Sequence, residues 1–204
     1  MMMDRRKNHK KETAGKQTAK EKRSSLCRGV LGLILLLAAD QLTKLLAYTQ
    51  LRPYGPIKLL PGIFELHYLE NQGAAFGMME NMQWVFILFA FVIVAGALLF
   101  YIRLPMGDRF RPLRILCITL SAGALGNMID RITHHYVIDF LYFSLIDFPI
   151  FNVADIYVCV STAILLLLLL FVYKDEDFQL LAGKKTKQEY LADIREKIEE
   201  SREK

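Results

Sequence analysis

The feature that most constrains the fold is Trp84–Ile102, a run of nineteen residues without a charged side chain. As an α-helix, such a run is about 30 Å long, which matches the hydrocarbon core of a bilayer. Ile156–Tyr173 is a second uncharged run, of eighteen residues. With a mean hydropathy of +0.26, the pattern predicts an all-α membrane protein with four transmembrane helices. The predicted spans cover about 29–48, 84–102, 113–129 and 153–173.

Basic residues are concentrated in three segments, which predicts how the chain crosses the membrane. Of the 26 Lys and Arg residues, ten lie in 1–28, four in 103–114 and eight in 174–204. Because cytoplasmic segments carry such an excess, we expect all three segments on the cytoplasmic side, which requires an even number of spans. No fold typical of nucleic-acid binding accompanies the basic residues, so we expect no nucleic-acid partner.

This pattern divides the chain into three regions. We expect a basic cytoplasmic extension over residues 1–27, disordered up to residue 25, because it is rich in Lys and Arg and poor in apolar side chains. The membrane domain then covers 28–173, and a charged cytoplasmic tail covers 174–204. Loops 49–82 and 131–151 lie outside, and the alternating residues 63–70 predict a strand in a small extracytoplasmic β-sheet region.

Asp139 and Asp155 are the best candidates for chemistry. Each lies beside strongly apolar sequence. Burying a carboxylate there is costly, so its presence suggests a function. The apolar neighbours of Asp139 favour its protonated form, whereas the start of the fourth span, with Asn152 as its N-cap, favours an ionised Asp155. Two carboxyl groups that share a proton are the arrangement by which aspartic proteases activate water. Asp147, in the turn before Pro149, is interpreted as a solvated turn residue.

Other polar residues fall at spacings that bring them together. Asp40 and Lys44 lie i,i+4 on the first span, either as a helix-stabilising ion pair or as a support for the site. At the outer end of the third span, Asn127 shares a helix face with Asp130 and Arg131, which either neutralise each other or brace their neighbours.

Several other chemistries find little support. His134 and His135 lack the spacing of a metal site, so we expect no metal and no cofactor. The three cysteines, Cys27, Cys117 and Cys159, are interpreted as small core residues. Two alternatives to an enzyme stay open: a small proton-coupled transporter, in which the carboxylates relay protons, and a protein in which they only brace helices.

Five motifs, in this order, resemble the lipoprotein signal peptidases (signal peptidase II) of bacteria over residues 28–173. They are Asp40-Gln-Leu-Thr-Lys44, Asn71-Gln-Gly-Ala-Ala-Phe-Gly77, Gly123-Ala-Leu-Gly-Asn-Met-Ile-Asp-Arg131, Val137-Ile-Asp-Phe140 and Phe151-Asn-Val-Ala-Asp155. The resemblance implies that Asp139 and Asp155 are catalytic. It also implies supporting or substrate-binding roles for eight residues: Asp40, Lys44, Asn71, Gly73, Asn127, Asp130, Arg131 and Asn152.

The resemblance further implies the reaction. Such enzymes are aspartyl endopeptidases of the inner membrane that remove the signal peptide from diacylglyceryl-modified prolipoproteins, just before the lipidated cysteine. We therefore expect lipid-modified prolipoproteins and membrane lipids as partners, sensitivity to the cyclic peptide globomycin, and a monomer. One departure is Glu70, which stands before Asn71 where the family often has a basic residue or histidine.

Overall fold

Four helices of the computed structural model, which describes residues 2–73, 82–183 and 187–202, are long and apolar enough to cross a membrane. They are α1 (Met2–Leu46), α2 (Gln83–Arg103), α3 (Arg111–His134) and α4 (Val153–Leu167). Short π-helical turns, Ala47–Leu51 and Leu168–Val172, extend α1 and α4. The predicted fold class, four membrane helices with a small sheet, is confirmed.

The prediction that residues 1–25 are disordered is wrong. Helix α1 begins at Met2 and runs without a break into the first membrane span, over 45 residues. The N-terminal segment contains no proline and is rich in Lys, Arg, Glu, Gln and Ala, which are strong helix formers. Its polarity excludes a packed core but does not prevent a helix that the adjacent span has already nucleated.

Helix α3 lies at the centre of the bundle, where it packs on α1, α2 and α4. Two of its small residues allow this close approach. A Cβ atom on Gly123 would lie 2.5 Å from the backbone oxygen of Ala154 in α4, and one on Gly126 would clash with the Asp40 carboxylate of α1. The glycines therefore bring α4 and α1 against the same face of α3.

Three antiparallel strands lie beside the bundle in the order β1 (Ile57–Leu60), β2 (Phe64–Asn71) and β3 (Val137–Tyr142). The predicted strand corresponds to β2, whereas β3 was not anticipated. In the register of the β2–β3 pair, Leu69 is opposite Asp139. Strand β3 follows α3 almost directly, so the sheet holds Asp139 next to the helix ends.

Two helices follow the last span, α5 (Asp175–Leu181) and α6 (Lys187–Arg202). The guanidinium of Arg109, between α2 and α3, donates to both carboxylate oxygens of Asp177 and to the Val172 backbone oxygen. The loop before α3 is thereby tied to the end of the fourth span. Of the three cysteines, only Cys117 is buried, and the prediction that Cys27 and Cys159 are core residues is wrong.

Candidate active site

One asparagine, Asn152, contacts both aspartates. Its side-chain Nδ2 donates to Asp139 Oδ1 at 2.6 Å, while its backbone N–H donates to Asp155 Oδ2 at 3.0 Å. Its Oδ1 accepts from the backbone N–H of Asp155 at 3.0 Å, which forms a capping box at the start of α4. The predicted N-cap is confirmed, and Asn152 also joins β3 to the start of α4 through Asp139 and Asp155.

The two remaining carboxyl oxygens of the pair also accept amide hydrogen bonds. Asn71 Nδ2 donates to Asp139 Oδ2 and Asn127 Nδ2 donates to Asp155 Oδ1, both at 2.7 Å. Each of the four carboxyl oxygens therefore has one fixed amide donor, and β2, α3 and α4 all contribute. Such fixed donors hold both carboxyl groups in position before a substrate arrives.

A buried cation, Lys44, lies behind the pair. Lys44, Asp40 and Asp130 are 2, 0 and 1 % exposed, respectively. The ammonium Nζ is 3.1 Å from Asp40 Oδ2, 3.0 Å from Asp130 Oδ2 and 2.8 Å from Asn127 Oδ1. An ammonium group has three hydrogen-bond donors, and three acceptors surround this one. Because Lys44 takes the oxygen of Asn127, the amide nitrogen of Asn127 is directed at Asp155.

The two acidic partners of Lys44 also hold other elements. Asp40 Oδ1 accepts from the backbone N–H of Ala154 at 2.9 Å, and Asp130 Oδ2 accepts from that of Ile138 at 3.2 Å. Asp130 is thus an ion-pair partner of Lys44 and a brace for β3. Of the two interpretations of Asp40 and Lys44, this geometry favours a support for the site.

Arg131 connects α3 to the segment that follows β2. Its guanidinium donates to the backbone oxygens of Gly73 and Asn127, each at 3.3 Å, and lies 4.6 Å from the ring centroid of Phe86. The backbone N–H of Gly73 donates to Asn71 Oδ1 at 3.0 Å, which directs the Asn71 amide nitrogen towards Asp139. Residues 74–77 of this predicted motif lie outside the described residues.

The environment of Asp139 favours the protonated form of its carboxyl group. Burial, and then the negative charge of Asp155, raise the pKa of Asp139 to about 7, although hydrogen bonds from Asn71 and Asn152 act in the opposite direction. At neutral pH, Asp139 therefore holds a proton in a substantial fraction of molecules. The shift has the direction expected from its apolar neighbours.

Both aspartates line a groove of about 1040 Å³. The residues that line it include Phe86 of α2, Cys159 of α4, His67 of β2, Tyr142 of β3 and Asp147. Asp147 was interpreted as a solvated turn residue, and it is exposed in a turn but also lines the groove; His67 was given no role. In the part of the chain that the structure describes, no three His, Cys, Asp or Glu side chains are grouped as metal ligands would be.

Glu70, the departure from the family pattern, also lines the groove. It lies 3.3 Å from the guanidinium of Arg52 and accepts a hydrogen bond from the Tyr68 hydroxyl at 3.0 Å. Its charge is therefore partly balanced by Arg52.

Comparisons with known proteins agree on one family. The sequence model described as Signal peptidase (SPase) II matches residues 32–171. A lipoprotein signal peptidase of Symbiobacterium thermophilum is 45% identical over 141 residues, which are 68% of this chain and 91% of the relative. One of Streptococcus pyogenes serotype M1 is 38% identical over 154 residues, which are 73% and 95% of the two chains.

Two solved structures, described as bacterial membrane enzymes determined by the in meso method, have a similar fold. The first has a TM-score of 0.63 at 27% identity, covering 70% of this chain and 87% of its own. The second has a TM-score of 0.62 at 27% identity, covering 72% and 94%.

Proposed function

This chain belongs to the signal peptidase II family, and from that membership we propose that it hydrolyses its substrate with two aspartates, Asp139 and Asp155. It is a multi-pass membrane peptidase that removes signal peptides from prolipoproteins. The proton-coupled transporter finds no support, because the matching relatives are peptidases.

One observation supports the aspartyl mechanism above the others: two carboxyl groups share a single bridging residue at the wall of one groove. Asn152 donates to both Asp139 and Asp155, so the two groups are held together. The pKa of Asp139, raised to about 7 by burial and by the charge of Asp155, favours a state with one proton on the pair. That state provides an acid and a base side by side.

In the mechanism we propose, Asp155 is the base and Asp139 the acid. The Asp155 carboxylate takes a proton from water as the water oxygen attacks the carbonyl carbon of the scissile peptide bond. Asp139 gives its proton to the carbonyl oxygen, which produces a tetrahedral gem-diol. When the carbon–nitrogen bond breaks, the proton on Asp155 passes to the leaving amine and one hydroxyl proton returns to Asp139.

Eight residues position this pair or contact the substrate in our proposal. Asn71, Asn127 and Asn152 orient the carboxyl groups directly, and Lys44 orients Asn127 while Asp40 and Asp130 balance its charge. Arg131 and Gly73 form the wall next to the acid, where a guanidinium can bind a substrate carbonyl.

The substrate we propose is a diacylglyceryl-modified prolipoprotein, cut just before the lipidated cysteine. The basic segments favour a chain in the cytoplasmic membrane with both termini inside and the groove at the outer face. Residues 28–173 are then the peptidase domain, and 1–27 and 174–204 are cytoplasmic extensions. We also propose that the enzyme is monomeric, contacts membrane lipids at its spans and is inhibited by globomycin.

The experiment is cleavage of a diacylglyceryl-modified prolipoprotein by purified protein in lipid vesicles. Asp139→Asn and Asp155→Asn are each expected to lower kcat at least a thousandfold, on the order of what loss of a catalytic group costs. Asp175→Asn, which removes one exposed carboxylate of α5, is the matched control and is expected to keep full activity.

Thermal unfolding of the same variants distinguishes catalytic aspartates from aspartates that only brace the helices. If the carboxylates only brace helices, Asp155→Asn lowers the Tm and leaves the turnover of the folded fraction unchanged. Full turnover by either variant contradicts the aspartyl mechanism.

A further inference from the structure

The residues that line the groove come from two chemically different regions, from which we infer a membrane end and a sheet end. Phe86 and Cys159 lie on α2 and α4, within membrane spans, whereas His67, Tyr142 and Asp147 lie on or after strands of the sheet. A signal peptide has a long apolar segment that stays among the spans. The residues after the lipidated cysteine are not part of that apolar segment, so we expect them to leave by the sheet end.

Distance along β2 shows which substrate residues reach that end. Leu69 is opposite Asp139, and His67 lies two residues further along the strand, where the β2–β3 register shifts between Leu66 and Leu69. At a rise of about 3.3 Å per residue, His67 is at most about 7 Å further along. An extended substrate with its scissile bond at Asp139 therefore brings the first and second residues after the cysteine beside His67 and Tyr142.

Two rings and one carboxylate form the surface at this end. The His67 and Tyr142 rings are 4.9 Å apart, and the Tyr142 hydroxyl donates to Asp147 Oδ1 at 2.7 Å. Glu65, behind His67, accepts from its Nε2 at 2.9 Å. Aromatic faces beside a carboxylate suit a Lys or Arg side chain, which can contact the rings and pair with the acid.

Of the three carboxylates near the sheet end, Asp147 is the one whose charge is not balanced by a neighbouring side chain. Glu65 stands opposite Lys58 in the β1–β2 register and also pairs with His67. Glu70 pairs with Arg52 at 3.3 Å. Asp147 accepts from the neutral Tyr142 hydroxyl, and among the described residues it forms no ion pair with a Lys, Arg or His side chain.

We propose that Asp147, with the His67 and Tyr142 rings, selects prolipoproteins that carry a basic rather than an acidic residue just after the lipidated cysteine. This preference rests on the proposed peptidase reaction and adds to it the chemistry of the mature chain. Because Asp147 is exposed, the effect is modest and depends on salt.

The test uses synthetic diacylglyceryl-modified substrates that differ only in the two residues after the cysteine, both Lys, both Gln or both Glu. For the unmodified enzyme, kcat/KM is expected to be about three- to tenfold higher for the Lys substrate than for the Glu substrate, with Gln between them. In about 0.5 M salt the ratio should shrink towards one.

Asp147→Asn removes the charge with little change of shape. Asp147 has a φ of 48°, which asparagine adopts readily, and an asparagine oxygen can still accept from Tyr142. We expect this variant to lower the Lys-to-Glu ratio below about twofold, an effect of the size expected for one exposed ion pair. Asp175→Asn removes the same charge on α5, away from the groove, and should leave the ratio unchanged.

Equal cleavage of the Lys and Glu substrates by the unmodified enzyme overturns the proposal, as does a ratio that Asp147→Asn leaves intact. Either result leaves the peptidase assignment standing, because all three substrates are still cut. Cleavage of none of them counts against the proposed reaction instead.

Discussion

Asn127 and Asp155 are joined by a 2.7 Å hydrogen bond that crosses from α3 to α4. The direction of this bond is set at the other end of the Asn127 amide, whose oxygen accepts from Lys44 at 2.8 Å. A cation can only donate, so the amide nitrogen has to point at the carboxylate. The buried lysine thus sets the hydrogen bonding of Asp155, the proposed catalytic base, without touching it.

Replacement of Asn127 tests this arrangement. Asn127→Ala removes the donor to Asp155 and leaves Lys44 with one acceptor fewer, so we expect kcat to fall about 10- to 100-fold, in line with about 1–3 kcal/mol for a buried group left unsatisfied. Asn127→Asp keeps an acceptor for Lys44 but replaces the donor with a charge, and should lose as much. If Asn127→Asp retains full kcat, the amide nitrogen is not needed.

The pH profile of activity should follow Asp139. Its pKa is raised from the usual value near 3.8 to about 7, by burial first and by the Asp155 charge second. Asp139 must be protonated to act as the acid, so kcat/KM is expected to hold up to about pH 7 and to fall about tenfold per pH unit above it.

Steady-state assays between pH 5 and 9, with the fold checked at each pH, measure this. A kcat/KM that already falls about tenfold per pH unit from pH 5 upwards would mean that Asp139 is an ordinary, ionised carboxylate.

Loss of the Lys44 charge should destabilise the protein strongly. Lys44→Met leaves the buried Asp40 and Asp130 without their cation, and breaking a buried ion pair costs about 3–5 kcal/mol. Asp40→Asn in the same chain removes one of the stranded charges while an oxygen remains for Ala154, so it should restore part of the lost Tm. Lys58→Met, at an exposed position, is the control and should change the Tm little.

The contact between α3 and α4 at Gly123 leaves no room for a methyl group. A Cβ there would lie 2.5 Å from the Ala154 backbone oxygen and 2.8 Å from Val158 Cγ2, so α4 would have to move. We expect Gly123→Ala to cost about 1–3 kcal/mol and to lower kcat as well, since Ala154 and Asp155 are neighbours. Gly96→Ala in α2 meets no heavy atom within 4 Å and should change neither the Tm nor the activity.

Features encoded by nearby residues could be predicted from the sequence. The four spans follow from apolar length, the Asn152 cap from its position before α4, and the Asp40–Lys44 pair from the i,i+4 spacing. Each depends on residues within one turn or one helix, where geometry is regular.

Contacts between distant segments could not be predicted. The partner of Asp130 is Lys44 on another helix rather than its neighbour Arg131, and β3 pairs with a strand that precedes α2. Asp147 looked like an ordinary turn residue because its approach to the groove depends on where β3 and the following turn lie. The Asp130–Lys44 pair, the β2–β3 pairing and the position of Asp147 all depend on tertiary packing, which leaves no periodic pattern in the sequence.

The long separation between Lys44 and Asn127, 83 residues apart, has a consequence for biosynthesis. While the ribosome is still translating α2, Lys44 has only Asp40, its partner on the same helix, to balance its charge. Asn127 and Asp130 arrive with the third span, and Asp155 only with the fourth. In the proposed mechanism, a nascent chain therefore cannot cleave a substrate until its last span has been made, because that span brings Asp155.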